Sequence, residues 1–254
     1  MPKTALITGA SSGLGAEFAR QLAATGADLV LVARDRAALD RIASKVRARY
    51  GVVVEVMPAD LLKPRHLARV VARVADRERP IDLLVNNAGF GLPLDFAAND
   101  IEDEVRHLHL HVEVPMRLSH AALGQMLPRG RGRIINVASV AGFIPRATYG
   151  ACKGWLISFS RWSNDRYAAR GVTTTAVCPG YTHTNFHERM GLAPGKEGVP
   201  AWMWLDARTV VAEALRDAAH GRSVSVPSLR YRLLVTLARL APTSLAIRFG
   251  ERGR

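Results

Sequence analysis

The chain of 254 residues lacks the features that mark several classes of protein. It has only two cysteines, Cys152 and Cys178, both within predicted structural elements, which indicates free thiols in a reducing compartment rather than a disulfide framework. No apolar stretch approaches the roughly 20 residues that span a bilayer, and the first residues pass into a strand-like run without a signal-peptide pattern. We therefore expect a soluble, cytoplasmic protein.

Aromatic and acidic residues are also scarce beside the basic ones. Aromatics make up 6% of the chain, and the formal net charge is +13. A basic protein can bind nucleic acid, an anionic membrane or acidic substrates. No nucleic-acid-binding motif is present, and arginines on solvated helix faces account for the charge, so we expect no nucleic-acid partner. The basic excess is concentrated at the C-terminal end, where seven arginines from Arg222 onward stand against Glu251 alone.

The sequence does contain a regular alternation of short apolar runs and amphipathic helical patterns. The apolar runs predict strands at residues 3–7, 28–33, 52–57, 81–85, 133–138 and 172–178. Runs that are apolar on both faces are typical of a parallel sheet, and strands that alternate with helices predict right-handed crossovers. The sequence therefore predicts a doubly wound α/β domain that binds its ligands at the C-terminal ends of the strands.

A glycine-rich turn, TGASSGLG at residues 8–15, follows the first predicted strand and precedes a helix. Glycines allow the backbone to approach a pyrophosphate, and the N–H groups at the start of the helix supply donors and positive partial charge. The spacing is GxxxGxG rather than the more common GxGxxG. A turn that only connects strand to helix is the alternative, and the flanking elements favour a dinucleotide site.

The second predicted strand ends at Ala33 and is followed by Arg34. An acidic side chain at this place binds the ribose 2′-hydroxyl of NAD, whereas an arginine accommodates the 2′-phosphate of NADP. Arg34 therefore favours NADP(H) over NAD(H), although Asp35 comes next and an arginine in the first turn of a helix can simply be solvated.

A hydroxyl, a phenol and an amine follow the fifth predicted strand, as Ser139, Tyr149 and Lys153. Tyr149 and Lys153 are four residues apart and would share one face of a helix. A neighbouring ammonium stabilises a phenolate, which makes a tyrosine a usable acid near neutral pH. Taken alone, the two residues can also be interpreted as a surface pair.

Three histidines, His107, His109 and His111, lie in a long helix predicted at residues 101–126. Only His107 and His111 share a helix face. A metal site would need further ligands, which the sequence does not identify, so we expect no metal.

Four motifs stand in one order along the chain: the turn at residues 8–15, NNAG at residues 86–89, the unit from Ser139 to Lys153, and Pro179-Gly180. Together they resemble the short-chain dehydrogenase/reductase family over roughly residues 3–227. The resemblance implies a single Rossmann-type domain with a parallel sheet of about seven strands and helices on both faces. It also implies NAD(P)-dependent oxidation or reduction of an alcohol/carbonyl pair, and a homo-oligomer.

The resemblance further implies roles for individual residues. Tyr149 would be the general acid or base, Ser139 would hydrogen-bond the carbonyl oxygen, and Lys153 would lower the phenol pKa and bind the nicotinamide ribose. Arg34 would contact the 2′-phosphate. The other implied cofactor-binding residues are Gly9, Ser11, Ser12, Gly13, Leu14 and Gly15 at the glycine turn, Asp60 and Leu61 beside the adenine, Asn87, Ala88 and Gly89, and Pro179, Gly180, Thr182 and Thr184.

The sequence departs from the family pattern at two points. His111 stands where the family usually has an asparagine that helps to hold a water in the proton relay behind the lysine. Only nine residues separate Ser139 from Tyr149, a shorter loop than usual. We hypothesise that His111 carries the relay with a side chain able to exchange protons near neutral pH. The competing interpretation is a damaged relay in a weak or inactive enzyme.

Residues 181–205 combine apolar side chains with glycines and prolines, which predicts a lid with an apolar inner surface. Such a lid would suit a hydrophobic ketone or a 3-ketoacyl-type substrate, and ordinary packing onto the domain is the alternative. The lid's apolar residues are Phe186, Met190, Leu192, Trp202, Met203 and Trp204, and the predicted opposite wall is Phe90, Leu92, Phe143 and Ile144.

Residues 228–254 are predicted to form a basic helix and tail that follow a catalytic domain of residues 1–227. A basic amphipathic helix can lie on an anionic membrane or contact an acidic carrier, but we favour packing on its own domain or on a partner subunit. The helix's apolar positions are Leu229, Leu233, Leu237 and Leu240.

The leading interpretation is an NADP(H)-dependent oxidoreductase that reduces a hydrophobic carbonyl compound. One alternative is a nucleotide-binding regulatory or interaction protein that retains the fold with weak or no turnover. A peripheral lipid-associated protein is the third possibility.

Overall fold

Seven parallel strands form the centre of the protein. The computed structural model describes residues 3–184 and 199–240, and its strands lie in the order β3-β2-β1-β4-β5-β6-β7. All six neighbouring pairs are parallel. The strands are β1 Thr4–Thr8, β2 Asp28–Ala33, β3 Val54–Pro58, β4 Leu83–Asn86, β5 Gly132–Val137, β6 Val172–Val177 and β7 Val224–Ser225. The predicted α/β fold with a parallel sheet is confirmed.

Helices cover both faces of this sheet. They are α1 Gly13–Ala24, α2 Arg36–Tyr50, α3 Pro64–Ala75, α4 Ile101–Leu108, α5 Val114–Met126, α6 Ala147–Tyr167, α7 Ala207–Ala219 and α8 Leu229–Leu240. Alternate side chains of β1 point to opposite faces: Ile7 joins a buried cluster with α1, α2 and α7, and Leu6 joins one with α3 and α5. The inner strands are therefore buried on both sides, whereas the edge strand β3 is mostly half-buried.

Two helical features differ from the sequence prediction. The single helix predicted at residues 101–126 is continuous, but a π-helical turn at His109–Glu113 separates α4 from α5. Helix α7 was not predicted. Of the described helices, none has the length and apolar composition needed to cross a bilayer.

A buried polar chain fixes the ends of the central strands. Asn86 and Asn136 are paired in the register of β4 and β5. The side-chain nitrogen of Asn86 donates to the side-chain oxygen of Asn136 at 2.8 Å, and the nitrogen of Asn136 donates to Ser160 Oγ at 2.9 Å. Because Ser160 lies on α6, this chain ties the helix that carries Tyr149 to the centre of the sheet.

The C-terminal helix α8 is fastened to the turn that follows β6. Tyr231 is buried, and its hydroxyl accepts a hydrogen bond from the Tyr181 amide at 3.1 Å and donates one to the Met203 carbonyl at 2.8 Å. Burial raises the pKa of Tyr231 to about 12, so the hydroxyl keeps its proton. A Cβ atom at Gly180 would lie 1.9 Å from this ring. Only glycine therefore leaves room for Tyr231 at the turn.

We expect Gly180→Ala to lower the free energy of unfolding by about 1–3 kcal/mol, because the new methyl group overlaps the Tyr231 ring. In a Tyr231→Leu background, which lacks the overlapping ring atoms, the same substitution should cost less. Gly124→Ala is the control, since no atom lies within 4 Å of the position that its methyl group would take in α5. Urea unfolding of the four variants checks this, and an equal cost of Gly180→Ala in both backgrounds would contradict it.

Candidate active site

The turn between β1 and α1 depends on its glycines. Gly9 and Gly13 have φ angles of 66° and 54°, in the left-handed region that favours glycine. A Cβ atom at Gly15 would lie 2.2 Å from the Gly9 carbonyl oxygen, so the start of α1 packs directly on the turn. The three glycines of the GxxxGxG motif are therefore each explained by the local backbone.

The start of α1 is suited to an anion. Its N-cap residue, Ser12, makes no side-chain capping bond, and the first turn, which includes Leu14, contains no acidic residue. Ser11 and Ser12 are partly exposed at the turn. The helix dipole and the first-turn N–H groups can therefore serve a pyrophosphate, and the site fits the dinucleotide that the sequence implies.

Two other loops meet this turn. The side-chain nitrogen of Asn87 donates to the carbonyl oxygens of Thr8 and Gly9 at 2.9 and 3.2 Å. Thr8 Oγ1 accepts bonds from the amides of Asn87 and Ala88 at 2.9 and 3.0 Å. On the other side, a Cβ atom at Gly13 would lie 3.2 Å from Thr184. The structure therefore brings together the glycine turn, the NNAG segment and the loop after β6.

The loop after β6 is held in place by main-chain contacts. The Pro179 carbonyl oxygen accepts a bond from the Val140 amide at 3.1 Å. Thr182 is buried, donates to the Gly180 carbonyl oxygen at 3.0 Å, and forms an isolated bridge with Leu205.

On the predicted adenosine side, some polar side chains are free to bind a ligand and others already form hydrogen bonds within the protein. Arg34 is exposed and makes no hydrogen bond or ion pair with a described residue, whereas Asp35 caps α2 by accepting from the Ala38 amide at 2.9 Å. The Asp60 carboxylate accepts from the Leu62 amide at 3.1 Å. Leu61 is buried, and its side chain packs in the core.

Lys153 is the central charged group of the site. Its ammonium donates to the Val137 carbonyl oxygen at 2.7 Å and lies 5.6 Å from the centroid of the Tyr149 ring. The side chain is buried, and this burial lowers the pKa of Lys153 to about 8. An ammonium has three donors, and one acceptor is found among the described residues, which leaves donors for the hydroxyl groups of a ligand.

Ser139 follows β5, two residues after the carbonyl that holds Lys153. Its hydroxyl oxygen accepts a bond from the Ala141 amide at 3.2 Å and caps a short 3-10 turn, Val140–Phe143, that packs on α6. The hydroxyl proton is not used in this bond and can be donated to another acceptor.

His111 lies behind Tyr149 and is fully enclosed. Its Nε2 is 2.8 Å from the Phe90 carbonyl oxygen and 3.2 Å from the Phe90 amide nitrogen, and the shorter contact favours a hydrogen on Nε2. Nδ1 is then a buried acceptor with no hydrogen-bond partner among the described residues. A Cβ atom at Gly89 would lie 2.5 Å from the His111 ring, so the glycine of NNAG makes room for this side chain.

The environment of His111 changes the sequence-based hypothesis. Burial, the charge of Lys153 and the neighbouring His107 hold the pKa of His111 well below its usual 6.5. The ring is therefore neutral at neutral pH, and proton exchange through its charged form does not agree with this environment. A neutral imidazole can still accept a hydrogen bond from a water through Nδ1.

His107 is a neighbour that sequence reasoning did not connect with the site. Its ring centroid is 4.2 Å from that of His111 and 5.9 Å from that of Tyr149. Burial and Lys153 lower the pKa of His107 to about 4, and its Nδ1 lies 3.9 Å from Cys152 Sγ. The helical spacing of the two histidines is visible in the sequence, but on its own it indicates only a metal motif. Within residues 3–184 and 199–240, no group of three or more potential ligands is placed to hold a metal.

A buried carboxylate completes this cluster. Glu104 accepts hydrogen bonds from Thr148 Oγ1 at 2.5 Å and from the Asn99 side chain at 2.7 Å. Thr148 immediately precedes Tyr149, so α4 helps to fix the first turn of α6. No signal in the sequence indicates this contact, because Glu104 looks like an ordinary residue of a helical first turn.

The predicted substrate side is only partly described. Phe186, Met190 and Leu192 lie outside the described residues. Trp202 is exposed, Met203 packs near Tyr231, and Trp204 stacks on His183 with ring centroids 4.8 Å apart.

The predicted opposite wall does not form one surface. Phe143 and Ile144 line a cavity of about 570 Å³ with Arg146, Gly150 and Gly154. Phe90 instead packs edge-on against His107, with ring centroids 5.4 Å apart, and Leu92 does not line this cavity. Gly150 and Gly154 lie on a different face of α6 from Tyr149, which explains why this cavity is separate from the phenol.

Comparison with known proteins agrees with this geometry. Residues 3–193 match the family model of the short chain dehydrogenases. The chain belongs to the short-chain dehydrogenase/reductase family. The protein is therefore an NAD(P)-dependent oxidoreductase.

Individual relatives cover most of the chain. It is similar to the ketoacyl reductase HetN of Nostoc sp., with 35% identity over 70% of this chain and 63% of HetN, so the match spans less than two thirds of that relative. A short-chain dehydrogenase from Sphingobium yanoikuyae, solved with NADPH, has 35% identity, covers 92% of each chain and has a TM-score of 0.84. A bulky-bulky ketone specific alcohol dehydrogenase from Comamonas testosteroni has 32% identity, covers 93% of this chain and 92% of its own, and has a TM-score of 0.80.

If His111 holds a relay water as hypothesised, His111→Ala should lower kcat by about tenfold or more, because the buried acceptor for that water is lost. His111→Asn should retain more activity, since an amide can also hold a water. Neither change should raise the Kd for NADPH by as large a factor as it lowers kcat. This comparison separates a relay role from a structural one. Turnover by the Ala variant at the wild-type rate would contradict the relay.

Proposed function

We propose that the protein is an NADP(H)-dependent reductase of a hydrophobic ketone or a 3-ketoacyl-type substrate, with Tyr149 as its general acid. The observation that carries this proposal is the buried Lys153 ammonium, held by the Val137 carbonyl at 2.7 Å beside the Tyr149 ring. The proposal includes a homo-oligomer in the cytoplasm and a catalytic domain of residues 1–227 followed by the helix and tail of residues 228–254.

The proposed chemistry divides the work among three side chains. A bound nicotinamide cofactor supplies the hydride. Ser139 donates a hydrogen bond to the carbonyl oxygen and keeps its proton, since its own oxygen accepts from the Ala141 amide and its hydroxyl hydrogen is available. Tyr149 delivers the proton that completes the alcohol. Below pH 8 Lys153 carries a positive charge that stabilises the phenolate left behind.

The relay behind Lys153 is proposed to pass through a water held by His111. This water, bound to Nδ1 of the neutral ring, would lie on the path by which a proton taken up from solvent reaches the Lys153 ammonium and then the Tyr149 phenolate. In this role His111 positions a water and does not itself gain or lose a proton. The role agrees with the lowered pKa of His111 and with its unpartnered Nδ1.

The substrate class is proposed from two kinds of support. Apolar and aromatic residues occur in the segment 181–205, and Trp202 is exposed. The names of the similar proteins refer to a ketoacyl reductase and to an enzyme specific for bulky ketones. Both kinds of substrate present a carbonyl carbon with apolar substituents.

The preference for NADP(H) is proposed from Arg34. Its guanidinium is exposed at the end of β2, while the carboxylate that follows it in the sequence, Asp35, is engaged in capping α2. A free arginine can pair with a 2′-phosphate, and a carboxylate committed to a helix cap is less available to a ribose hydroxyl.

We expect Arg34→Ala to weaken NADPH binding by about tenfold to a hundredfold and to leave NADH binding nearly unchanged, because only NADPH carries the phosphate. Arg49→Ala, at the other end of the helix that follows Arg34, is the matched control. Fluorescence titration with both cofactors measures the two constants. Wild-type protein that binds NADH more tightly than NADPH would refute the preference.

We expect Tyr149→Phe to reduce kcat/KM by about 10²–10⁴-fold while NADPH still binds, because the substitution removes only the proton donor. The assay follows NADPH consumption with a panel of ketones and 3-ketoacyl thioesters. If the wild-type protein binds NADPH but consumes none across the panel, the fold-retaining regulatory or interaction protein becomes the better interpretation.

A further inference from the structure

Helix α8 exposes a row of leucines that no described residue covers. Leu229, Leu233, Leu237 and Leu240 are 78%, 62%, 54% and 79% exposed. With 3.6 residues per turn they lie along one stripe, which we call the leucine stripe. Tyr231, the only buried residue of α8, lies on the opposite side of the helix. The contacts of α8 with its own domain are therefore made by Tyr231, Arg230 and Arg232, and not by these four leucines.

Positive charge borders the leucine stripe. Arg230 lies at one side of it and bonds only to the uncharged Trp202 carbonyl, so its charge is not neutralised there. Arg239 lies at the other side, is exposed, and forms no ion pair with a described residue. Arg232 is different, because it pairs with Glu213 at 3.2 Å. Beyond residue 240 the sequence adds three more arginines and only one acidic residue.

We propose that the leucine stripe docks on an anionic lipid surface. A convex row of apolar side chains between arginines needs no complementary groove, because acyl chains adapt to it while the guanidinium groups remain at the level of the headgroups. The chain's net charge of +13 adds long-range attraction to an anionic surface.

A second copy of the chain fits the stripe less well. In a two-fold contact the same surface of each copy meets its equivalent. The sequence of α8, LRYRLLVTLARL, contains no acidic residue that could face Arg230 or Arg239 of the other copy. Such a contact would bring like charges together around the buried leucines, which is unfavourable.

Docking through the leucine stripe would also orient the candidate active site. Tyr231 packs in one cluster with Leu14 of the glycine turn and with Val140, the neighbour of Ser139. Through this cluster the inner face of α8 is linked to both halves of the candidate site, and its outer face would rest on the lipid. An apolar substrate held in the bilayer would then lie near the site.

The test is co-sedimentation of the full chain with vesicles of phosphatidylcholine alone or of equimolar phosphatidylcholine and phosphatidylglycerol. We expect the wild type to partition onto the anionic vesicles only, less so at high salt. The double substitution Leu233→Ser and Leu237→Ser should lower the partition constant by about tenfold or more. Arg239→Gln should lower it by about fivefold. Leu108→Ser, a leucine 51% exposed on α4, is the matched control and should bind as the wild type does.

These variants are preferable to deletion of residues 229–254, which would also remove the Tyr231 contacts. Because the substituted leucines are exposed, thermal unfolding should confirm a native fold. Equal binding of the double variant and the wild type, or equal binding to neutral and anionic vesicles, would overturn the proposal. A different pair of results would also overturn it. If the wild type does not bind vesicles, and light scattering shows an oligomer that the double substitution dissociates, the leucine stripe binds a second copy of the chain.

Discussion

The hydrogen bond from the Lys153 ammonium to the Val137 carbonyl connects the scaffold to the chemistry. A buried charge is costly unless it is paired, and this one has a single acceptor among the described residues. The bond fixes α6 against the end of β5, and Tyr149 and Ser139 are placed by the two elements that it joins. Loss of the bond would leave an unpaired charge in the interior, so helix and strand cannot shift independently. Burial lowers the pKa of Lys153 to about 8, so the ammonium is still the main form at neutral pH.

The histidine pair shows how a larger side chain is accommodated behind that lysine. His111 needs more space than an amide, and Gly89 provides it because no Cβ atom projects into the ring. The π-helical turn at His109–Glu113 places an extra residue in the helix at this point. Together they allow the rings of His111 and His107 to lie next to each other and to Tyr149 without breaking the helix.

Much of the fold could be predicted from the sequence, and the reason is physical. Strands buried on both faces, such as β2, are apolar without interruption, and Gly9 and Gly13 mark a turn whose φ angles exclude most other residues. These constraints act on residues that are close together in the chain, so a single sequence is enough to recognise them. Helix α7 was harder to predict because the glycine-rich and proline-rich segment before it weakens the helical pattern of that part of the chain.

The surroundings of the candidate site were harder to predict. The contact of Glu104 with Thr148 joins residues 44 positions apart. The contact of Tyr231 with Gly180 joins the last described helix to the turn that follows β6. Nothing in the local sequence of either partner indicates the other. The exposure of the leucine stripe could not be foreseen for the same reason, since the apolar pattern of a helix does not state whether another element covers it.

The hydroxyl of Tyr231 has a consequence for how the enzyme could be altered. It receives the Tyr181 amide and reaches the Met203 carbonyl, so one phenol holds both ends of the segment between them. The chain therefore enters and leaves that segment at positions that α8 helps to set, together with the main-chain bonds of Tyr181 and His183 to Leu205. A substitution on α8 that moves the Tyr231 hydroxyl would therefore shift both ends of that segment together, while the residues of the sheet and the glycine turn stay unchanged.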